Sequence, residues 1–135
     1  MNRMMPFDMV GGEPAVRAIV DRFYDLMDED AGYGELRALH AGDLDPMRYS
    51  LSGFLTAWLG GPRDWFVDNP GKCVMSLHGA IAVNAQTAQQ WADAMERAIG
   101  EHCAAHGLDA DFSTRMAEAL RSMASAMVRM ERVPA

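Results

Sequence analysis

Apolar residues recur along this chain at steps of three and four, and that spacing restricts it to packed helices. Val16, Ile19, Val20, Phe23 and Met27 form one stripe, which predicts an amphipathic helix over about residues 13–29. Met47, Leu51, Phe54, Leu55 and Trp58 form a second stripe, stopped by Gly60-Gly61-Pro62 through glycine's left-handed freedom and the proline ring. Trp91, Met95, Ala98 and His102 share one face of a long helix after Asn84, a plausible N-cap. Phe112, Met116, Leu120, Met123, Met127 and Met130 mark the last helix. Asp28, Glu29, Asp30, Gly32 and Gly34 end the first, and Glu35–Leu39 fits one short turn. Residues 62–83 are irregular, with a strong turn signal at Asp68-Asn69-Pro70-Gly71 and room only for short helical pieces. No stretch alternates with period two, so the expected class is all-α. The periodicity leaves open a plain four-helix bundle or a sandwich of helices around a cofactor.

Composition narrows the partners. The 135 residues can bury a core without staples and read as one domain. No apolar run approaches the roughly 18 residues needed to span a bilayer. The N-terminal MNRMMPFDMVGGEP has no apolar core followed by a cleavage site, so secretion is not expected. Cys73 and Cys103 make no disulfide framework, and a reduced, cytoplasmic protein is the expectation. A net charge of −7 with scattered basic residues argues against nucleic acid and anionic membrane surfaces. Twelve methionines suit a soft core or a pocket for a bulky ligand without choosing between them.

Familiar catalytic motifs are missing: there is no GxSxG, HExxH, CxxC or P-loop. His102 and His106, at i and i+4, could share a metal, but the sequence places no third ligand and a solvated helix end is the better reading. Cys73 precedes His78 by five positions, a spacing open to a thiol–imidazole pair. The acidic clusters Asp28-Glu29-Asp30 and Asp109/Asp111 read as solvated helix ends. Tyr24, His40 and Trp91 are harder to set aside. Buried Tyr and Trp usually find a partner for O–H and N–H, and all three could point into one cavity. Taken singly, each reads as a core or boundary residue.

Several separated stretches, in order, resemble the truncated hemoglobins. MVGGEPAVRAIVDRFYDLMD is similar to that family's opening, with a Gly-Gly pair followed by Phe-Tyr, and FLTAWLGGPRDW to the end of its distal helix. The nineteen positions from Gly60 through His78, and the spacing from His78 to Trp91 in QQWADAM, resemble the group II branch. The resemblance spans about residues 6–130. It implies a truncated globin fold, a two-over-two helical sandwich around heme b. His78 would be the proximal iron ligand, leaving the opposite coordination site open for a gas. Tyr24, His40 and Trp91 match distal polar residues, whose donors would stabilise the partial negative charge on bound O₂. Met47 and Leu51 match distal-helix positions facing the ligand; Phe54, Leu77, Ile81 and Met95 would pack on the porphyrin.

The chain departs from its apparent relatives on the propionate side. Met75, Ser76 and Leu77 stand where arginines are usual before the proximal histidine, Ser50 replaces a basic residue, and Trp65 a tyrosine. Lys72, Arg48 and Arg63 are the substitute partners for the two heme carboxylates. Met47, where small residues are usual, would narrow the distal pocket or offer a sulfur to the iron. The resemblance implies O₂ binding first, with NO or CO as other ligands. A second reading at the same iron is NO dioxygenation or peroxidase-like turnover, fed by a reductase. A third is a helical interaction module that has lost heme. A homodimer is also implied, with no interface pattern to support it.

Overall fold

The computed structural model describes residues 5–40, 42–68 and 84–132, without the side chains of 127 and 129–132. Among the described residues every regular element is a helix. They are α1 (Pro6–Val10), α2 (Gly12–Glu29), a 3₁₀ turn (Ala31–Tyr33), α3 (Gly34–Ala38), α4 (Asp45–Trp58), α5 (Asp64–Asp68), α6 (Ala85–Ala105) and α7 (Ala110–Arg132). The four long helices follow the four apolar stripes. The helix α1 and the 3₁₀ turn were not anticipated, each being too short to show a period.

Local chemistry sets the boundaries. Asn84 and Thr87 close a capping box on α6: Thr87 N–H donates to Asn84 Oδ1 at 2.8 Å, and Asn84 N–H to Thr87 Oγ1 at 3.1 Å. At the end of α4, Gly60 takes φ of 96° and Gly61 N–H donates to the Thr56 carbonyl at 2.9 Å. A Cβ on Gly61 would fall 2.7 Å from the ring of Phe7, so the second glycine lets α1 close over the end of α4. Phe7 N–H donates to the Leu59 carbonyl at 2.9 Å there.

Helix α2 lies between α4 and α6, and α6 packs in turn along α7. The α2–α4 pair and the α6–α7 pair thus form a two-over-two sandwich. Where α2 meets its neighbours, Ile19, Val20, Phe23, Leu26, Leu55, Met95 and Ile99 are almost wholly buried. Each such side chain contributes about 1.5–3 kcal/mol of apolar burial, which makes this crossing the rigid centre of the molecule. Ion pairs around it, such as Arg22 with Glu29 and Glu101, are solvent-exposed and add little. The thiol of Cys103 is free and buried in α6. No helix of the described residues is long and apolar enough to cross a membrane.

Candidate functional site

The crossing of α2 and α6 carries a chain of aromatic rings. Phe23 on α2 meets Tyr24 edge-on at 4.9 Å and Trp91 of α6 edge-on at 5.3 Å. Tyr24 meets His40, just past α3, edge-on at 5.8 Å. Edge-to-face contacts at these separations are the favoured geometry for aromatic pairs. The sequence-predicted distal trio is therefore brought together, but with Phe23 as the wedge between Tyr24 and Trp91. That role was not foreseen; the only signal for it was its place on the core stripe beside Tyr24.

Tyr24 is 2% exposed and Trp91 8% exposed, and neither O–H nor indole N–H has a hydrogen-bond partner among the described residues. Burial pushes the Tyr24 phenol well above its usual pKa, with the Arg48 charge acting in the opposite direction. Tyr24 is thus a neutral donor across the physiological range. Of the apolar site candidates, Leu51 and Met95 are buried in the same core, and Met47 and Phe54 pack partly buried against it.

His40 is held differently. Its Nδ1 lies 2.9 Å from the carbonyl of Leu36. A carbonyl only accepts, so Nδ1 carries the proton, and in the neutral ring Nε2 is an acceptor. The Leu36 N–H meanwhile donates to Gln90 Oε1 at 3.0 Å. One peptide of α3 thereby ties His40 to the residue preceding Trp91, a link invisible in the sequence.

Arg48, read from the sequence as a partner for heme carboxylates, has its guanidinium engaged elsewhere. It donates to the Asp21 carbonyl (3.0 Å), Asp21 Oδ1 (3.1 Å) and Asp25 Oδ1 (2.8 Å), and lies 5.7 Å from the centroid of the Tyr24 ring. Arg63 lies over the ring of Phe66 at 5.1 Å and makes no ion pair among the described residues. Phe54, Trp65 and Phe66 form an aromatic cluster with centroids 4.9–6.4 Å apart where α4 meets α5. Lys72, Cys73, Leu77, His78 and Ile81 lie outside the described residues. Among the described residues no three His, Cys, Asp or Glu side chains gather to hold a metal ion. His102 and His106 do stack, at 4.4 Å, but His102 Nε2 donates to the Val10 carbonyl at 3.0 Å, tying α6 to α1.

An all-helical sandwich with buried aromatic donors at the crossing of its layers is the build of a globin. The family comparison agrees: the bacterial-like globin profile matches residues 5–129, and the chain belongs to that family. Solved structures place it with the truncated, group II-like hemoglobins. The cold-adapted truncated hemoglobin of the Antarctic marine bacterium Pseudoalteromonas haloplanktis TAC125 is 25% identical over 93% of this chain and 98% of its own, with a TM-score of 0.85. The group II truncated hemoglobin of Bacillus anthracis is 25% identical over 95% of this chain and 93% of its own, at 0.82. The thermostable hemoglobin of the actinobacterium Thermobifida fusca is 27% identical over 98% of this chain and all of its own, at 0.82. No curated protein sequence matches significantly.

The family implies heme, and the described residues fit it. A planar apolar group needs apolar neighbours, and Leu51 and Met95 in the core, with Met47 and Phe54 packed against it, are residues of that kind. A polar ligand on that group needs donors not already spent, and Tyr24 and Trp91 are such donors.

Proposed function

We propose that this globin binds heme b through His78 and holds a diatomic gas, O₂ before NO or CO, against Tyr24 and Trp91. One observation carries the reading: two aromatic residues with buried rings flank Phe23, and their O–H and N–H have no partner among the described residues. Heme b, when bound, supplies an iron whose open side takes the gas once an imidazole occupies the other. Everything else falls to the chain. Tyr24 donates its phenolic proton toward the ligand, and its raised pKa keeps that proton in place. Trp91 donates its indole N–H from the facing helix. His40, its Nδ1–H spent on Leu36, orients the Tyr24 ring it meets edge-on. Leu51 and Met47 would restrict the space beside the ligand, and Met95 and Phe54 would pack on the macrocycle, the role proposed also for Leu77 and Ile81. Arg63, over Phe66 and without an ion pair among the described residues, is the described cation best able to meet a propionate, with Lys72 a second.

The test is an absorption spectrum of the purified protein in ferric, ferrous and CO-bound forms, beside His78→Ala. The wild type should show a Soret band, and the variant should lose heme affinity or the normal ferrous–CO spectrum. An unchanged variant spectrum would remove His78 from the iron. A colourless wild type that hemin does not reconstitute would end the heme reading altogether.

A further inference from the structure

Arg48 stands on α4, one position from Met47, where a charged side chain facing the core needs explanation. Its side chain is 15% exposed, and its guanidinium makes three hydrogen bonds to two residues of α2. Those residues, Asp21 and Asp25, bracket Tyr24 in the sequence, and the guanidinium carbon lies 5.7 Å from the Tyr24 ring centroid. A planar guanidinium that donates from both terminal nitrogens, to a backbone carbonyl and two carboxylates, has its orientation set by those three bonds. The Tyr24 ring is thus confined on one side by Phe23, on another by His40, and toward α4 by a charge with little freedom to move.

We infer that Arg48 is a positioning residue for Tyr24: held by Asp21 and Asp25, it fixes the phenol ring and polarises its O–H toward the gas ligand. This rests on the distal role proposed for Tyr24. A cation near an aromatic ring attracts its electron density, and the phenol becomes a better donor. The direction agrees with the downward pull that Arg48 exerts on the Tyr24 pKa against the larger effect of burial. The same bonds join α4 to α2 beside the packed crossing at Leu55, on the stretch of α2 that carries Tyr24. Asp21 also pairs with Arg17 at 2.9 Å, which leaves Asp25 as the carboxylate belonging to Arg48 alone.

The experiment is a mutant cycle on the heme-loaded protein: wild type, Arg48→Met, Tyr24→Phe and the double variant. The readouts are the C–O stretching frequency of the ferrous–CO form and the O₂ dissociation rate. Arg48→Met should raise the stretching frequency and speed O₂ release about two- to fivefold. In the Tyr24→Phe background the same substitution should change neither. Asp25→Asn, a milder lesion that spares folding, should move both readouts the same way by less, and Arg48→Lys should restore part of the effect. Equal effects of Arg48→Met with and without Tyr24 would overturn the inference, showing a structural role only. A silent Arg48→Met beside a responsive Tyr24→Phe would overturn it while sparing the distal reading. A silent Tyr24→Phe would overturn both.

Discussion

Two glycines inside long helices should answer the same substitution with opposite signs. Glycine within a helix costs about 0.8–1 kcal/mol relative to alanine, because the unfolded chain has more freedom to lose. Gly100 in α6 has nothing within 4 Å of where a Cβ would stand, so Gly100→Ala should stabilise by up to about 1 kcal/mol. Gly53 in α4 is different. A Cβ there would lie 2.6 Å from Cβ, Cγ and Cδ1 of Trp65, which is 5% exposed and locked against Phe54 and Phe66. The Cβ of Trp65 is fixed to its backbone, so no rotamer change relieves the contact; α5 must move from α4. Overpacking of this kind costs about 1–3 kcal/mol, more than the propensity gain. Gly53→Ala should therefore lose about 1–2 kcal/mol net, a drop in melting temperature of about 3–6 °C for a chain of this size. The assay is urea and thermal unfolding of the heme-loaded protein, followed by far-ultraviolet circular dichroism, with m-values compared. If Gly53→Ala raised the midpoint as Gly100→Ala does, the close seating of α5 on α4 would be wrong.

Other expectations are equally direct. Tyr24→Phe and Trp91→Phe should each speed O₂ release about tenfold or more, since a donor bond to a charged acceptor contributes about 1.5–3 kcal/mol; unchanged stopped-flow rates in both would show that the donors do not reach the ligand. The Asp30 carboxyl is held below its usual pKa, first by the Gly32 N–H and then by Arg97. Its contribution to stability is thus complete above the unfolded value near ~4 and is lost as pH falls through the lower folded value. The stability gap between wild type and Asp30→Asn should accordingly be full at pH ~6 and narrow as pH falls below the unfolded value near ~4; a gap independent of pH would refute it.

What could be read from the sequence was whatever depends on spacing along one element. The stripes placed the long helices, Asn84 placed the start of α6, and Gly60-Gly61-Pro62 placed the end of α4. The five residues of α1 complete too little of a helical period to show one. The use of Gly61 depends on Phe7, more than fifty positions away. The site divides along the same line. Tyr24, His40 and Trp91 were visible as residue types at family positions, and the structure brings them together. The wedge of Phe23, the tautomer of His40 and the engagement of Arg48 are relations between helices, which no single stretch encodes. Charge alone made Arg48 a candidate for the heme carboxylates, whereas Asp21 and Asp25 occupy it one helix away.

The aromatic group around Phe23 also bears on why such residues stand in a core at all. A polar atom that no neighbour accepts from adds nothing to the stability of a core. Phenylalanine at the Tyr24 position would keep the edge-on contact with Phe23, and a purely apolar ring at Trp91 would do the same there. Packing selects the rings; it does not select the O–H and N–H. Two unspent donors on either side of Phe23 are explained when an acceptor arrives from outside the chain. On that reasoning, Tyr24→Phe should stabilise the heme-free protein or leave it unchanged while weakening its hold on the gas. Stability and ligand retention moving down together would show that the hydroxyl serves the fold instead.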